Sequence, residues 1–140
     1  MGKILCAIRG GPDSRPTQEQ AIALAKERGD ELIFLYVADV SFLDRTAAPL
    51  VVDVESELEL MGWFQLAMAR EQAMAEGVEA KIMVRHGHLR TELVAAARQV
   101  GATLILLGRP LEETAVFDQE SLQALVAHLQ AATGAEVRAL

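Results

Sequence analysis

The segment Thr103-Leu104-Ile105-Leu106-Leu107-Gly108 decides the fold class, because it is a short, continuous apolar run that ends in glycine. A run of this length without polar alternation is typical of a strand that is buried on both faces of a parallel sheet. Similar runs occupy residues 3–8, 31–38, 78–84 and, more weakly, 135–140. The chain is therefore expected to contain five parallel strands.

Segments with helical periodicity separate these runs, which predicts an α/β fold with helices on both faces of the sheet. Residues 15–28 and 89–100 are each followed by a glycine, Gly29 and Gly101, where a left-handed C-cap can end a helix. A third helix is predicted after Asp118, which is suited to an N-cap. The apolar positions that define these helices are Ala21, Leu24, Ala25, Leu89, Leu93, Ala97, Val100, Leu122, Leu125, Val126 and Leu129.

A fourth helical segment, at about 53–76, is apolar around a wider arc than contact with one sheet face requires. Two explanations for the excess around Trp63 remain open: contact with a partner chain, or coverage by the preceding loop. That loop, residues 39–52, contains Pro49 and shows no clear period, so we predict that it is the most mobile segment. The apolar residues of this helix are Val54, Leu58, Leu60, Met61, Trp63, Phe64, Leu66, Ala67, Met68 and Met74.

Length and composition restrict the class of protein. The 140 residues suit a single domain, residues 1–140. The net charge of −7, from 20 acidic and 13 basic residues, disfavours nucleic acid and anionic membranes as partners. The single cysteine excludes an internal disulfide. The first residues do not show the charged segment followed by an apolar segment that is typical of a signal peptide, and the apolar runs are too short to span a bilayer. We therefore expect a cytoplasmic protein.

Four segments carry a resemblance to the universal stress protein family, in the same order and at similar spacing along essentially the whole chain. They are Ile4-Leu5-Cys6-Ala7-Ile8-Arg9-Gly10-Gly11, Glu31-Leu32-Ile33-Phe34-Leu35-Tyr36-Val37-Ala38-Asp39, Val84-Arg85-His86-Gly87-His88-Leu89-Arg90-Thr91-Glu92-Leu93 and Thr103-Leu104-Ile105-Leu106-Leu107-Gly108. The resemblance implies a flavodoxin-like (adenine nucleotide alpha hydrolase-like) three-layer sandwich. Its five-stranded parallel sheet would have the order 3-2-1-4-5, and the protein would usually be a dimer. Any nucleotide would lie at the carboxyl ends of the first and fourth strands, where strand order reverses.

Members of the family that bind ATP resemble one another in three features, and this chain keeps them only in part. Their adenine-contacting aspartate after the first strand corresponds to Arg9, followed by Gly10, and a guanidinium cannot accept a hydrogen bond from the adenine amine. Their glycine after the third strand is retained as Gly87.

Their phosphate loop, Gly-x2-Gly-x9-Gly followed by Ser or Thr, begins correctly at Gly108 but has Leu111 at its second glycine. Its last two places hold Ser121-Leu122, or Glu120-Ser121 if one residue is deleted. Side chains at glycine positions hinder backbone N–H groups from closing on phosphate. The neighbouring carboxylates would also repel a triphosphate; they are Glu112, Glu113 and Glu120.

These changes predict that ATP does not bind in the usual way and that no cofactor is required. Losing two or three hydrogen bonds to charged groups costs on the order of 5 kcal/mol, a few thousandfold in affinity. The first hypothesis is therefore a stress-response regulatory or interaction module. We expect it to be a homodimer with a protein partner not identified by the sequence, and its interface to be either the final strand or the Trp63 face.

The alternative hypothesis is a sensor for a small anion or nucleotide ligand at the point where strand order reverses. Arg9 and Arg109 follow the first and fourth strands, near helix N-termini that favour anions. A simpler interpretation pairs Arg9 with Asp13, and Arg109 with Glu112 or Glu113. The ligand-binding residues expected under the alternative are Arg9, Gly10, Val37, Gly87, Gly108, Arg109 and Ser121.

No constellation of residues predicts an enzyme. Cys6 lies within an apolar strand, where a thiol is usually inert. Ser14 is most simply a helix cap or an early-turn residue. The spacing of His86, His88 and His128 supplies no third ligand for a metal, so we expect no metal site.

Overall fold

The computed structural model describes residues 2–8, 15–38, 48–108 and 119–139, with the backbone alone at 48–55 and 119–121. In this part of the chain, strands and helices alternate as the sequence predicts. The elements are β1 (Lys3–Ala7), α1 (Arg15–Arg28), β2 (Glu31–Ala38), α2 (Ala48–Ala75), β3 (Ala80–His86), α3 (Leu89–Val100), β4 (Leu104–Leu107), α4 (Gln119–Thr133) and β5 (Glu136–Ala139).

The five strands form one parallel sheet in the order β3-β2-β1-β4-β5, which confirms the predicted order. Strand β1 lies at the centre, with Cys6 in register with Phe34 of β2 on one side and Leu106 of β4 on the other. The chain runs outward from β1 to the β3 edge and then returns to β4. The strand order therefore reverses between β1 and β4, and a crevice at the carboxyl ends of these two strands follows from the topology.

The sheet is covered on both faces, which makes the predicted three-layer sandwich. Alternate strand residues contribute to opposite cores because successive side chains point to opposite faces. One core joins the sheet to α1 and α2, and the other joins it to α3 and α4. Cys6 and Phe34 lie in the first core, whereas Leu5 and Ile105 lie in the second. Because each central strand has apolar residues on both faces, it appears in the sequence as a continuous apolar run.

Two element boundaries differ from the sequence prediction. Helix α2 begins at Ala48, so residues 48–52, which were predicted to be loop, are helical. Pro49 is the second residue of that helix, and the first turn tolerates proline because its N–H has no intrahelical partner. The rest of the predicted mobile loop, residues 39–47, lies outside the described residues, as does Asp118.

Strand β3 runs from Ala80 to His86, two residues later than the predicted run at 78–84. Its bounds are set by pairing with β2, since Ala80 lies opposite Leu32 and His86 lies opposite Ala38. The polar residues at its end are therefore held in the sheet although they interrupt the apolar pattern.

Among the described residues, none of the helices combines the length and apolar character that crossing a bilayer requires.

Candidate functional site

The candidate site is the crevice at the carboxyl ends of β1 and β4. The described chain reaches this crevice at Ile8, after β1, and at Gly108, after β4. The helices that follow these strands lie on opposite faces of the sheet, which opens the space between them. The predicted residues Arg9, Gly10 and Arg109 lie outside the described residues, although each is within three residues of the end of β1 or β4 in sequence.

Gly108 packs tightly against the start of α1. A Cβ atom added at Gly108 would lie 3.0 Å from Oγ1 of Thr17, the third residue of that helix. Thr17 is only 3% exposed, so its hydroxyl has little room to withdraw. No local sequence pattern indicates Thr17, because its burial depends on contact with the end of β4, which is distant in sequence. A residue with a side chain at 108 would therefore be crowded even without any ligand.

Gly87 is required by its own backbone conformation. Its φ of +133° is a value that residues with a side chain rarely adopt. Its N–H donates a hydrogen bond to the Ala38 carbonyl oxygen at 3.2 Å, which holds the turn at the end of β3. A Cβ atom there would also lie 3.1 Å from Cγ of Glu92. The presence of glycine at this position has a structural explanation that involves no nucleotide.

Val37 lies at the same end of the sheet as the other candidate residues. It precedes the last residue of β2 and packs, half-buried, against the core that contains α3 and α4. Ala7, the last residue of β1, is in register with Leu35, two positions before Val37. The described part of the chain therefore places Val37 near the end of β1.

The last two places of the phosphate-loop pattern fall in the first turn of α4. Ser121 is the third residue of that helix, and its side chain is outside the described part. Leu122, which takes the place of the hydroxyl residue when the pattern is read without a deletion, is 4% exposed and belongs to the core with α3. Leu122 therefore contributes to packing, and a hydroxyl side chain there would replace apolar core surface.

A profile of the universal stress protein family matches residues 1–116 of this chain. The chain belongs to the universal stress protein family. The match covers the first four strands, including both strand ends that border the crevice.

Individual universal stress proteins resemble this chain in sequence or in fold. "Universal stress protein YxiE" of Bacillus subtilis (strain 168) is 28% identical over 114 residues, covering 76% of this chain and 77% of that protein. Universal stress protein UspA from Lactobacillus plantarum superposes with a TM-score of 0.82 at 13% identity, covering 99% of this chain and 97% of the other. A universal stress protein from Archaeoglobus fulgidus in complex with dAMP gives a TM-score of 0.67 at 13% identity, covering 99% and 96%.

The charged groups near the end of β3 in this universal stress protein are engaged with one another. Arg85 donates from Nε to Glu92 Oε1 at 2.9 Å and from Nη1 to Gln99 Oε1 at 2.7 Å. His86 Nε2 lies 3.6 Å from Glu59 Oε1. Within the described ranges, no three His, Cys, Asp or Glu side chains are grouped so that they could hold a metal ion. Arg85 and Glu92 therefore form an ion pair within the fold, and Gln99 and Glu59 lie beside the polar residues at the end of β3.

Cys6 is fully buried in the core between the sheet and α1, which confirms its predicted position. Burial raises the pKa of its thiol to about 12. The thiolate is the reactive form of cysteine, and a pKa so far above neutral leaves almost none of it. The thiol is therefore unsuited to nucleophilic chemistry.

Proposed function

We propose that this universal stress protein is a regulatory or interaction module, not an enzyme, and that it does not bind ATP in the manner of the family's ATP-binding members. It would act in the cytoplasm as a homodimer that contacts a further protein. The proposal is supported by a difference between two groups of positions in the nucleotide-binding pattern: those that the fold itself requires and those that serve only the phosphates.

The retained glycines belong to the first group. Gly87 has a φ of +133°, and Gly108 is held against Thr17 at the start of α1. Both are favoured by the folded chain whether or not a ligand is present. Glycine at these positions is therefore weak evidence for nucleotide binding.

The positions in the second group have been replaced. The second glycine of the loop corresponds to Leu111. Without a deletion, the third glycine corresponds to Ser121 and the final hydroxyl residue to the core residue Leu122; with one residue deleted, the third glycine corresponds to Glu120. The adenine-contacting carboxylate corresponds to Arg9. Losing two or three hydrogen bonds to charged groups costs on the order of 5 kcal/mol, so a micromolar dissociation constant would become millimolar or weaker.

Equilibrium dialysis of the purified full chain against labelled ATP with Mg²⁺ tests the proposal. We expect no saturable binding below about 1 mM. Restoring the pattern with Arg9→Asp, Leu111→Gly and Ser121→Gly should raise ATP affinity if the replaced residues are the cause. Saturable micromolar binding of ATP by the parent chain would contradict the proposal.

A second candidate is a sensor of a small anion or nucleoside monophosphate at the same crevice. It is favoured by the structural neighbour in complex with dAMP, and by the guanidinium side chains that Arg9 and Arg109 add after β1 and β4. Thermal unfolding with and without inorganic phosphate or dAMP separates the two functions. A saturable rise in melting temperature that is lost in the Arg9→Ala, Arg109→Ala double variant would support the sensor. An equal response of both proteins would reject it.

A further inference from the structure

A groove between α1 and α2 lies apart from the crevice. Its volume is about 510 Å³, which is within the range of about 300–1,000 Å³ that binding pockets occupy. Two of its lining residues are Lys26, in the last turn of α1, and Glu76, directly after α2. These helix ends lead into β2 and β3, so this end of the groove lies at the amino edge of the sheet, opposite the crevice. The groove is therefore a separate surface.

The floor of the groove is apolar. Ile22 of α1 is 3% exposed and belongs to the core that α1 shares with α2. Ala23, next to it, is exposed and presents only a methyl group. Glu19 and Glu27 stand one turn before and one turn after Ala23, so these three residues form one row along the helix. The row therefore has a short apolar centre between two longer acidic side chains.

The walls of the groove carry an excess of negative charge. Among its described lining residues, Glu19, Glu27 and Glu76 contribute carboxylates, whereas Lys26 alone contributes an ammonium group. Nζ of Lys26 lies 3.9 Å from Oε2 of Glu76, and both side chains are largely exposed. Within the described part of the chain, no cation forms an ion pair with Glu19 or Glu27. Two carboxylates are therefore available to a bound group.

A basic side chain matches both properties of the groove. The methylene stem of Lys or Arg packs on apolar surface while its charged head remains at the wet edge. That head makes charge-assisted hydrogen bonds with carboxylates. Eight helical residues rise about 12 Å, so Glu19 and Glu27 suit two cations about 12 Å apart. A helix of a partner protein presents such a pair when two Lys or Arg residues are seven or eight positions apart.

Nucleic acids and anionic lipids match the groove less well. Both carry phosphates, which the lining carboxylates and the net charge of −7 would repel. The other cations of these two helices are Arg15, Arg28 and Arg70, and none of them is among the lining residues. Charge complementarity therefore favours a basic segment of a protein.

We infer that this groove is the docking site for a basic helical segment of a partner protein, with Lys or Arg heads beside Glu19 and Glu27 and their stems against Ile22 and Ala23. The inference rests on the proposed contact with a further protein, and it names the surface and the chemistry of that partner. Docking here leaves the crevice at β1 and β4 open.

Fluorescence anisotropy on the full chain tests the acidic walls. The probe is a labelled, alanine-rich helical peptide with two lysines eight positions apart. Its binding should be saturable and weakened by salt, and the Glu19→Gln, Glu27→Gln double variant should raise its dissociation constant about tenfold. Glu57→Gln, Glu71→Gln removes the same charge from exposed positions of α2 that do not line the groove, and this control should leave the constant unchanged. Equal effects of the two double variants, or no effect of either, would overturn the inference.

A neutral substitution tests the floor separately from the charge. Ala23→Leu places a branched side chain between Glu19 and Glu27, so the dissociation constant of the peptide should rise several-fold. Ala23 is exposed, so the melting temperature should be nearly unchanged. Ala127→Leu makes the same change at an exposed position of α4 and should not alter binding. Undiminished binding by Ala23→Leu would place the peptide elsewhere and overturn the inference.

Two further probes test the kind of occupant. A peptide of the same composition with its lysines three positions apart reaches only one carboxylate, so it should bind more weakly, and equal affinity of the two peptides would overturn the inference. Spermidine that binds as tightly as the first peptide, with the same dependence on Glu19 and Glu27, would replace the protein segment by a small polyamine.

These measurements contain no nucleotide, so their failure leaves the prediction for ATP intact. Micromolar ATP binding in dialysis would reject the proposed function without altering the peptide results.

Discussion

Gly62 in α2 offers the sharpest test of how that helix is seated on the sheet. It is buried and lies over the ring of Tyr36 in β2, and an added Cβ atom would be 2.8 Å from both Cε1 and Cγ and closer still to Cδ1. Glycine within a helix normally costs about 1 kcal/mol relative to alanine, so Gly→Ala at an open helical position is stabilising. At Gly62 we predict the opposite sign.

The magnitude follows from the packing of Tyr36. Its side chain is almost fully buried in the core beneath α1 and α2, so the ring cannot move without displacing its neighbours. Overpacking of a core costs about 1–3 kcal/mol, and contacts with three ring atoms place Gly62→Ala near the upper end. After subtracting the helix-propensity gain of about 1 kcal/mol, the net loss is about 2 kcal/mol. For a domain of this size we expect a fall in Tm of about 6–8 °C.

Urea unfolding of a double-mutant cycle isolates this contact. In a Tyr36→Val background the ring is absent, and Gly62→Ala should stabilise the protein by up to about 1 kcal/mol. Ala67→Gly, on the half-exposed side of the same helix, provides the control for propensity alone and should cost about 1 kcal/mol. If Gly62→Ala stabilises the parent, or has the same effect in both backgrounds, α2 does not press on Tyr36 as described.

Three further predictions concern single residues. Gly87→Ala should lower the free energy of unfolding by about 1–3 kcal/mol, as measured by urea unfolding, because alanine is strained at a φ of +133°; an unchanged midpoint would contradict this. The pKa of Glu31 is lowered, chiefly because its carboxylate accepts a hydrogen bond from Lys81, whose Nζ lies 2.5 Å from Oε1. The stabilisation of the folded state by this pair is therefore present above the ordinary glutamate pKa and is lost as pH falls through the lowered value. Glu31→Gln should therefore reduce the dependence of Tm on pH in the acidic range, and an unaltered acid profile would count against the pair. Cys6 should react with a thiol reagent only as fast as the chain opens, so reaction at the rate of a free thiol in native buffer would show that it is accessible.

The fold was predictable from the sequence where local signals and tertiary packing agree. Helices α1 and α3 have the predicted bounds because Gly29 and Gly101, with φ of +69° and +71°, end them in the left-handed conformation. The predicted start of α2 was wrong because Pro49 was taken to indicate a loop, although proline is also favoured in a first helical turn. The two meanings of proline cannot be separated without the tertiary context.

The candidate site was less predictable because its decisive contacts join distant parts of the chain. The placement of the crevice at the carboxyl ends of β1 and β4 came from the family resemblance, which implied the strand order. The burial of Thr17 beneath Gly108 was not predictable in this way, since it depends on how α1 crosses the end of β4. Sequence patterns could identify Gly108 as part of a motif, but they could not indicate that packing alone restricts this position.

A glycine in a ligand-binding fold can be required by the ligand, by the backbone or by a neighbouring side chain, and these requirements have different consequences. Gly87 is restricted by its φ and Gly108 by Thr17, so both remain favourable in a chain that binds no nucleotide. A leucine at position 122 gains core burial that a hydroxyl residue could not provide. The folded structure therefore favours glycine at positions 87 and 108 and an apolar residue at position 122. A half-retained motif is therefore the pattern that we expect if, as proposed, this protein does not bind ATP in the usual way, because folding still restricts positions 87 and 108.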